Sequence, residues 1–303
     1  MPDTAGHIDD DFVAGFSLDN APVRGRTVRL SAEALDPILR RHDYPRPVAM
    51  LLGEAISLAA LVGSLLKTEG RFVVQAEGDG PVRLLVAEWR SEGALRGYVR
   101  LSEGAADALA NANRMSPKAL IGEGRLAMTL DLGGETPAQQ GIVALEGDTL
   151  AECAEAYFMA SEQIDTRIRL AVGEVLELDA APLWRAGGIL LQRIGRDDTR
   201  GDAEEDWSRA TILFATTEDE ELIDPGLPAD RLLYRLFHEE GVRMATPHAL
   251  VDRCTCTEER LVAVMRGFSS QETADLVEPD GFLHARCQFC ARDYKIDPET
   301  LGG

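Results

Sequence analysis

Four of the chain's five cysteines lie in its last fifty residues, in two close pairs: Cys254-Thr255-Cys256 and Cys287-Gln288-Phe289-Cys290. Thirty residues separate the pairs. Four thiolates at that spacing suit a tetrahedral Zn²⁺ with Zn–S bonds of about 2.3 Å. The fold must then close the intervening loop and bring both pairs to one point. C-x-x-C is the usual half of such a site, because its tight turn lets both sulfurs face one metal. C-x-C is less common and asks for a more extended backbone. Unrelated placement of four buried cysteines rarely yields two pairs. A Cys₃His set using His284 or His248 is the other combination open to the sequence, although both histidines read more simply as polar surface residues. Arg253, Arg260, Arg286, Arg292 and Lys295 flank the pairs. They either offset the negative charge of a four-thiolate centre or are ordinary solvated basic residues.

Charge narrows the partners. The chain has 52 acidic and 31 basic residues, a formal net charge of −21. Nucleic-acid affinity comes largely from Lys and Arg neutralising phosphates, so that partner class is disfavoured. So is an anionic membrane surface. The opening "MPDTAGHIDDDF" has neither the basic nor the apolar region of a signal peptide. The expected compartment is the cytoplasm, where thiols stay reduced. Residues 48 to 66, "VAMLLGEAISLAALVGSLL", make an apolar run about one bilayer span long. Glu54 lies inside it, and Gly53, Ser57, Gly63 and Ser64 dilute it. A lone intramembrane carboxylate is costly, so the run reads as a buried core helix.

At 303 residues the chain suits one large domain or two smaller ones. Residues 31–41 and 47–67 read as helices separated by "HDYPRP". "RFVVQAE" (71–77) and "VRLLVAE" (82–88) flank "GDGP" and read as a hairpin. "LRGYVRL" (95–101), "GRLAMTLDLG" and "GIVAL" continue as strands. Asp148 is a plausible N-cap for a helix through Gln163. On it Leu150, Cys153, Ala154, Tyr157 and Phe158 share one apolar face. Cys153 therefore reads as a buried, inert thiol. "TRIRLAV" and "GGILLQRI" are further strands. Helices and strands are mixed and do not alternate strictly, which favours an α+β fold. From Arg196 the texture changes to dense charge interleaved with apolar residues. Leu232, Leu233, Leu236 and Phe237 form an apolar stripe between Pro228 and Gly241, and such a segment folds only by docking onto something larger.

No enzyme signature stands out. There is no G-x-S-x-G elbow and no P-loop. "IGEG" lacks the Rossmann pattern, and "HEEGV" has Val242 where a zincin needs its second histidine.

The blocks "HDYPRPV" (42–48), "GDGPVRL" (78–84), "EGDTLAECAEAYFMASEQ" (146–163), "AGGILLQ" (186–192), "RLFHEEGV" (235–242), "RCTCTEER" (253–260) and "CQFC" (287–290) carry a resemblance. Together, from about Phe12 to Pro298, they resemble the heat shock protein 33 family of redox-regulated holdase chaperones. The resemblance implies a mixed α/β core domain over 1–195, a metastable helical linker over 196–250 and a small zinc-binding domain over 251–303. It implies one Zn²⁺ per chain on Cys254, Cys256, Cys287 and Cys290 in the reduced, inactive form. Oxidation would join Cys254 to Cys256 and Cys287 to Cys290 and expel zinc. The oxidised protein would bind unfolding client proteins without ATP, often as a homodimer, whereas the reduced form would be a monomer. Leu232, Leu233, Leu236 and Phe237 are candidate client-binding residues. Two features depart from the family: the acidic extension 1–11, and Gln139 where relatives often carry an aromatic residue. Neither touches the thiols.

The switch is physically reasonable. A glutathione poise of roughly −220 to −320 mV keeps the thiols reduced. A C-x-C disulfide closes a short, strained ring and is easily reduced again, which suits a reversible sensor. A constitutive zinc-ribbon adaptor, with a purely structural metal, is the rival function class. A C-x-x-C thiol oxidoreductase is a third.

Overall fold

A computed structural model describes residues 10–134, 136–176, 181–195 and 203–301. Most of the acidic extension and the start of the expected linker, 196–202, lie outside the described residues. The chain forms two compact units, Met1–Asp252 and Arg253–Gly303.

The first unit is built on two sheets. One has the order β10–β1–β2–β9–β8, from β1 (Phe12–Leu18), β2 (Val23–Leu30), β8 (Thr166–Val175), β9 (Leu183–Arg193) and β10 (Val242–Met244). The two-residue β11 (His248–Ala249) also pairs β1. The other sheet runs β12–β5–β4–β3–β6–β7, from β3 (Arg71–Gly78), β4 (Val82–Arg90), β5 (Ala94–Leu101), β6 (Gly124–Asp131), β7 (Gln139–Ala144) and β12 (Val251–Asp252). Pairing is antiparallel except where β12 joins β5. The expected "GDGP" hairpin is there: β3 and β4 pair antiparallel from Arg71↔Arg90 to Glu77↔Leu84.

Helix α2 (Arg46–Gly63), after the short α1 (Asp36–Arg40), packs on β2, β8 and β9 of one sheet and on β3, β4 and β5 of the other. Both flanks are covered, so every residue from Pro47 to Gly63 is buried. That explains an apolar run with no polar face. The helix is long and apolar enough to cross a membrane, yet 94% of it is buried inside the protein.

The structure corrects several expectations. The helix expected over 31–41 is confined to α1. The Asp11 carboxylate accepts the N–H groups of Ser31, Glu33 and Ala34, which shapes a turn ahead of it. Strands β1 and β2 were not expected at all. Helix α5 (Leu150–Tyr157), which follows α3 (Ala105–Leu109) and α4 (Pro117–Ile121), is capped by Thr149 and not by Asp148. The Thr149 hydroxyl accepts the Glu152 N–H at 3.1 Å, and the Glu152 carboxylate accepts the Thr149 N–H in return, a reciprocal pair that satisfies two free donors. The last turn to Glu162 is π-helical, ending on Gln163 at φ 55°. Cys153 is buried, as its helix face predicts.

Helices α6 (Ala203–Ala215), α7 (Asp219–Ile223) and α8 (Ala229–Phe237) lie against the first sheet. Leu232, Leu233 and Phe237 are buried there with Phe16, Val23, Ile189 and Leu191, and Leu236 is half-buried. The Phe16 and Phe237 rings stack at 6.1 Å.

The second unit contains α9 (Glu258–Met265), α10 (Ser270–Asp275) and a hairpin of β13 (Leu283–Arg286) and β14 (Asp293–Ile296). Among its described residues the buried apolar ones are Leu283, Cys287 and Ile296.

Candidate metal centre

The two cysteine pairs sit on different local structures. Cys254 and Cys256 occupy the irregular segment leading into α9, whose N-cap Thr257 accepts the Arg260 N–H at 3.3 Å. The Arg260 guanidinium donates back to the Thr255 carbonyl at 2.6 Å. Together these contacts hold the C-x-C backbone between cap and side chain. Cys287 and Cys290 lie in the loop of the β13–β14 hairpin. There the Cys287 N–H donates to the Arg292 carbonyl at 2.9 Å, and the Ala291 N–H donates to the Cys287 carbonyl at 2.8 Å. Ala291 closes this turn in the left-handed region at φ 56°.

These two segments bring all four sulfurs together, each Sγ within 4.8 Å of the others. Cys254 and Cys287 are 3.8 Å apart, and Cys256 and Cys290 are 3.3 Å apart. A tetrahedron with metal–sulfur bonds of about 2.3 Å separates its sulfurs by about 3.8 Å. The donor set therefore fits a tetrahedral thiophilic ion, and the cluster could hold a metal. Both of these distances run between the two pairs.

Electrostatics point the same way. Burial opposes ionisation of Cys256, but hydrogen bonds from Tyr294 and the neighbouring thiols outweigh it and lower its pKa to about 7. Burial and the adjacent sulfurs of Cys256 and Cys287 push Cys290 up to about 12. One thiol in the cluster ionises readily and the next resists. A cation among the sulfurs relieves that resistance, because a coordinated thiol is deprotonated outright.

Tyr294, on β14, was not anticipated from sequence. Its hydroxyl donates to Cys256 Sγ at 3.1 Å, the kind of outer contact that orients a metal ligand. Of the five flanking basic residues, Arg260 holds the C-x-C backbone, and Arg292 lies beside Tyr294 near Cys256 and Cys290. Arg286 faces Asp293, and Lys295 pairs with Asp280 at 3.0 Å. His284 is exposed and bonds Asp280. It stands outside the sulfur cluster, and His248 lies on β11 of the first unit.

A second titratable cluster was also unforeseen. Arg114 donates to Glu54 on α2 at 3.0 Å and to Asp219 on α7 at 2.9 Å. Asp219 also accepts from Arg169 at 3.2 Å. Burial pushes Glu54 up to about 7, against the attraction of Arg114.

Comparison with known proteins agrees with this architecture. Residues 11–297 match the family described as Hsp33 protein. A 33 kDa chaperonin of Caulobacter vibrioides is 50% identical over 298 residues, spanning 98% of this chain and 97% of its own. That of Serratia proteamaculans is 37% identical, over 93% of this chain and 90% of its own. The crystal structure of the 33 kDa chaperonin from Thermotoga maritima matches with a TM-score of 0.76 at 25% identity, covering 96% of this chain and 97% of that one. Agreement in sequence and fold along nearly the whole length shows that this chain belongs to the Hsp33 family of chaperones.

Proposed function

We propose that the chain is a redox-regulated, ATP-independent holdase that binds unfolding proteins under oxidative stress in the cytoplasm. In the reduced monomer Cys254, Cys256, Cys287 and Cys290 would hold one Zn²⁺. When bound, that ion ties the C-x-C segment to the hairpin loop and contributes folding free energy, about 10–16 kcal/mol in small zinc peptides. The observation that carries the reading is the thinness of the second unit. Among its described residues Leu283 and Ile296 are the fully buried aliphatic side chains, and α9 buries none. Two such side chains contribute about 3–6 kcal/mol, against a backbone ordering cost of about 1–2 kcal/mol for every residue. The unit depends on its sulfur cross-link.

Peroxide removes that cross-link. Each disulfide formed, Cys254–Cys256 and Cys287–Cys290, takes two electrons from a pair of thiolates, and one hydrogen peroxide accepts them with two protons from solvent to give two waters. Four thiolate donors are lost and the second unit unfolds. Residues 196–250 act as the metastable linker that precedes it. Their helices are short and marginal without tertiary support. Their release uncovers Leu232, Leu233, Leu236 and Phe237 together with the sheet face they covered. These apolar groups hold clients by non-directional contact, and the oxidised chain dimerises through the same exposed surface.

Light scattering from an aggregating client, with reduced and with peroxide-treated protein, tests the reading. Suppression by the oxidised form alone is expected. Equal suppression by both forms would instead favour a constitutive zinc-ribbon adaptor, and no suppression by either would remove the holdase.

A further inference from the structure

Two arginines are buried on the sheet face beneath α7. Arg29 of β2 is 3% exposed and Arg185 of β9 is 4% exposed. Arg29 is opposite Gly187, two residues beyond Arg185 on β9, so both guanidiniums and the bare glycine share one face. What they contact is unusual for buried cations: they meet main-chain carbonyls. Arg29 donates to the carbonyls of Glu221, Leu222, Asp224 and Leu227. Arg185 donates to the carbonyl of Ile223 at 2.9 Å. A Cβ at Gly187 would run into the Leu222 carbonyl, so the glycine keeps that approach open. Only Leu222 of the segment 221–227 buries its side chain.

Arg185 keeps a carboxylate, Asp10, at 2.7 Å, and the Ser31 hydroxyl at 3.3 Å. Arg29 has no ion-pair partner among the described residues, and its Nε donates to nothing. Burial lowers its pKa to about 10, so it stays cationic at neutral pH. The last four carbonyls of any helix lack an intrahelical partner. Helix α7 has five residues, so the two arginines supply most of what its end needs. When 221–227 depart, Arg29 loses these four acceptors, and its donors are open to water or to the carbonyls of another chain.

We propose that Arg29 and Arg185 form a main-chain clamp, which residues 221–227 occupy at rest and which binds the free backbone carbonyls of an unfolding client once that segment has left. The proposal rests on the holdase reading and gives the polar half of its client surface. An unravelling helix end or loose turn presents such carbonyls whatever its side chains. That provides recognition without sequence preference, and the linker serves as an internal copy of the client.

The test uses full-length protein and two labelled peptides. One copies residues 217–229, "TEDEELIDPGLPA". The other replaces the Leu222–Ile223 amide by an ester, which weakens the Leu222 carbonyl as an acceptor and leaves every side chain in place. Fluorescence anisotropy should show the amide peptide binding peroxide-treated protein, with the ester peptide about tenfold weaker. Reduced protein, its clamp already filled, should bind neither well. Arg29→Gln and Arg185→Gln should each weaken the amide peptide about tenfold. Equal affinity for the two peptides on wild-type protein overturns the clamp, whatever the variants do, and so does no binding of the amide peptide. Wild-type light scattering on the same sample separates the two ideas. If oxidised protein suppresses aggregation and yet binds both peptides equally, the clamp alone fails. If it suppresses nothing, the holdase reading fails first.

Discussion

Helix α2 and the carboxy-terminal unit stand at opposite extremes of packing. Every residue from Pro47 to Gly63 is buried, wedged between two sheets. In the described part of Arg253–Gly303, three apolar residues are buried, one of them the cysteine Cys287, and Val264 and Phe268 lie exposed. The difference lies in where stability is stored. In the first unit it is spread over dozens of contacts, so no single chemical event cancels it. In the second, on the function proposed above, it is concentrated in four sulfurs, and two-electron chemistry at each pair would cancel it. The helices 203–237 lie between these extremes. They cover the first sheet with a genuine apolar face, yet each is short, and α7 leans on arginines for its carbonyls.

The sharpest way to break the contrast is to remove one sulfur. Cys287→Ser should cut bound zinc from near one per chain to a small fraction, read by metal analysis of reduced protein. The second unit should then become sensitive to protease while the first remains resistant. The effect is on the order of 10 kcal/mol, because the metal's folding contribution goes with it. Full zinc retention in a variant with all four cysteines replaced by serine would contradict the ligand set.

A smaller effect should appear inside the first unit. Glu54 is held at about 7 in the folded protein, above its ordinary value of 4.5, chiefly by burial. Between these two values the folded state binds more protons than the unfolded state, so stability from this group is full below pH 4.5 and falls as pH rises through about 7. Asp219 raises it further and Arg114 opposes. Glu54→Gln should remove the falling component. Urea unfolding at pH 5 and pH 8 should show the variant gaining on wild type by on the order of 2–3 kcal/mol across that range. Parallel pH profiles for the two proteins would show that Glu54 does not titrate as described.

Local signals were legible and distant ones were not. Cysteine spacing, the "GDGP" hairpin, the buried helix and the apolar stripe ending at Phe237 are all patterns within a few residues, set by geometry that repeats along the chain. Strand β2, "VRGRTVRL", was hidden because its arginines look like solvated charge. Arg29 is buried only because carbonyls 192 to 198 residues away come to meet it. The Glu54–Arg114–Asp219 chain spans separations of 60 and 105 residues. Tyr294 reached Cys256 through the hairpin, across 38 residues. The Asp148 cap missed by one position because Asp and Thr are both good caps, and the returning Glu152 side chain decides between them.

Cys153→Ser should have the smallest effect. The thiol is buried on α5 and burial raises its pKa, so it is a poor nucleophile. Peroxide activation should persist, with about 1–3 kcal/mol of stability lost to the buried hydroxyl. A variant that folds and cannot be activated would place Cys153 in the switch.

Amide hydrogen exchange on reduced and peroxide-treated protein tests the central claim most directly. The account predicts that protection falls from the linker helices at 203 through the hairpin at 296, while α2 and α5 stay protected. If oxidation switches on client binding and residues 203–250 keep their protection, the unfolding switch is wrong and activation must come from a local change at the thiols.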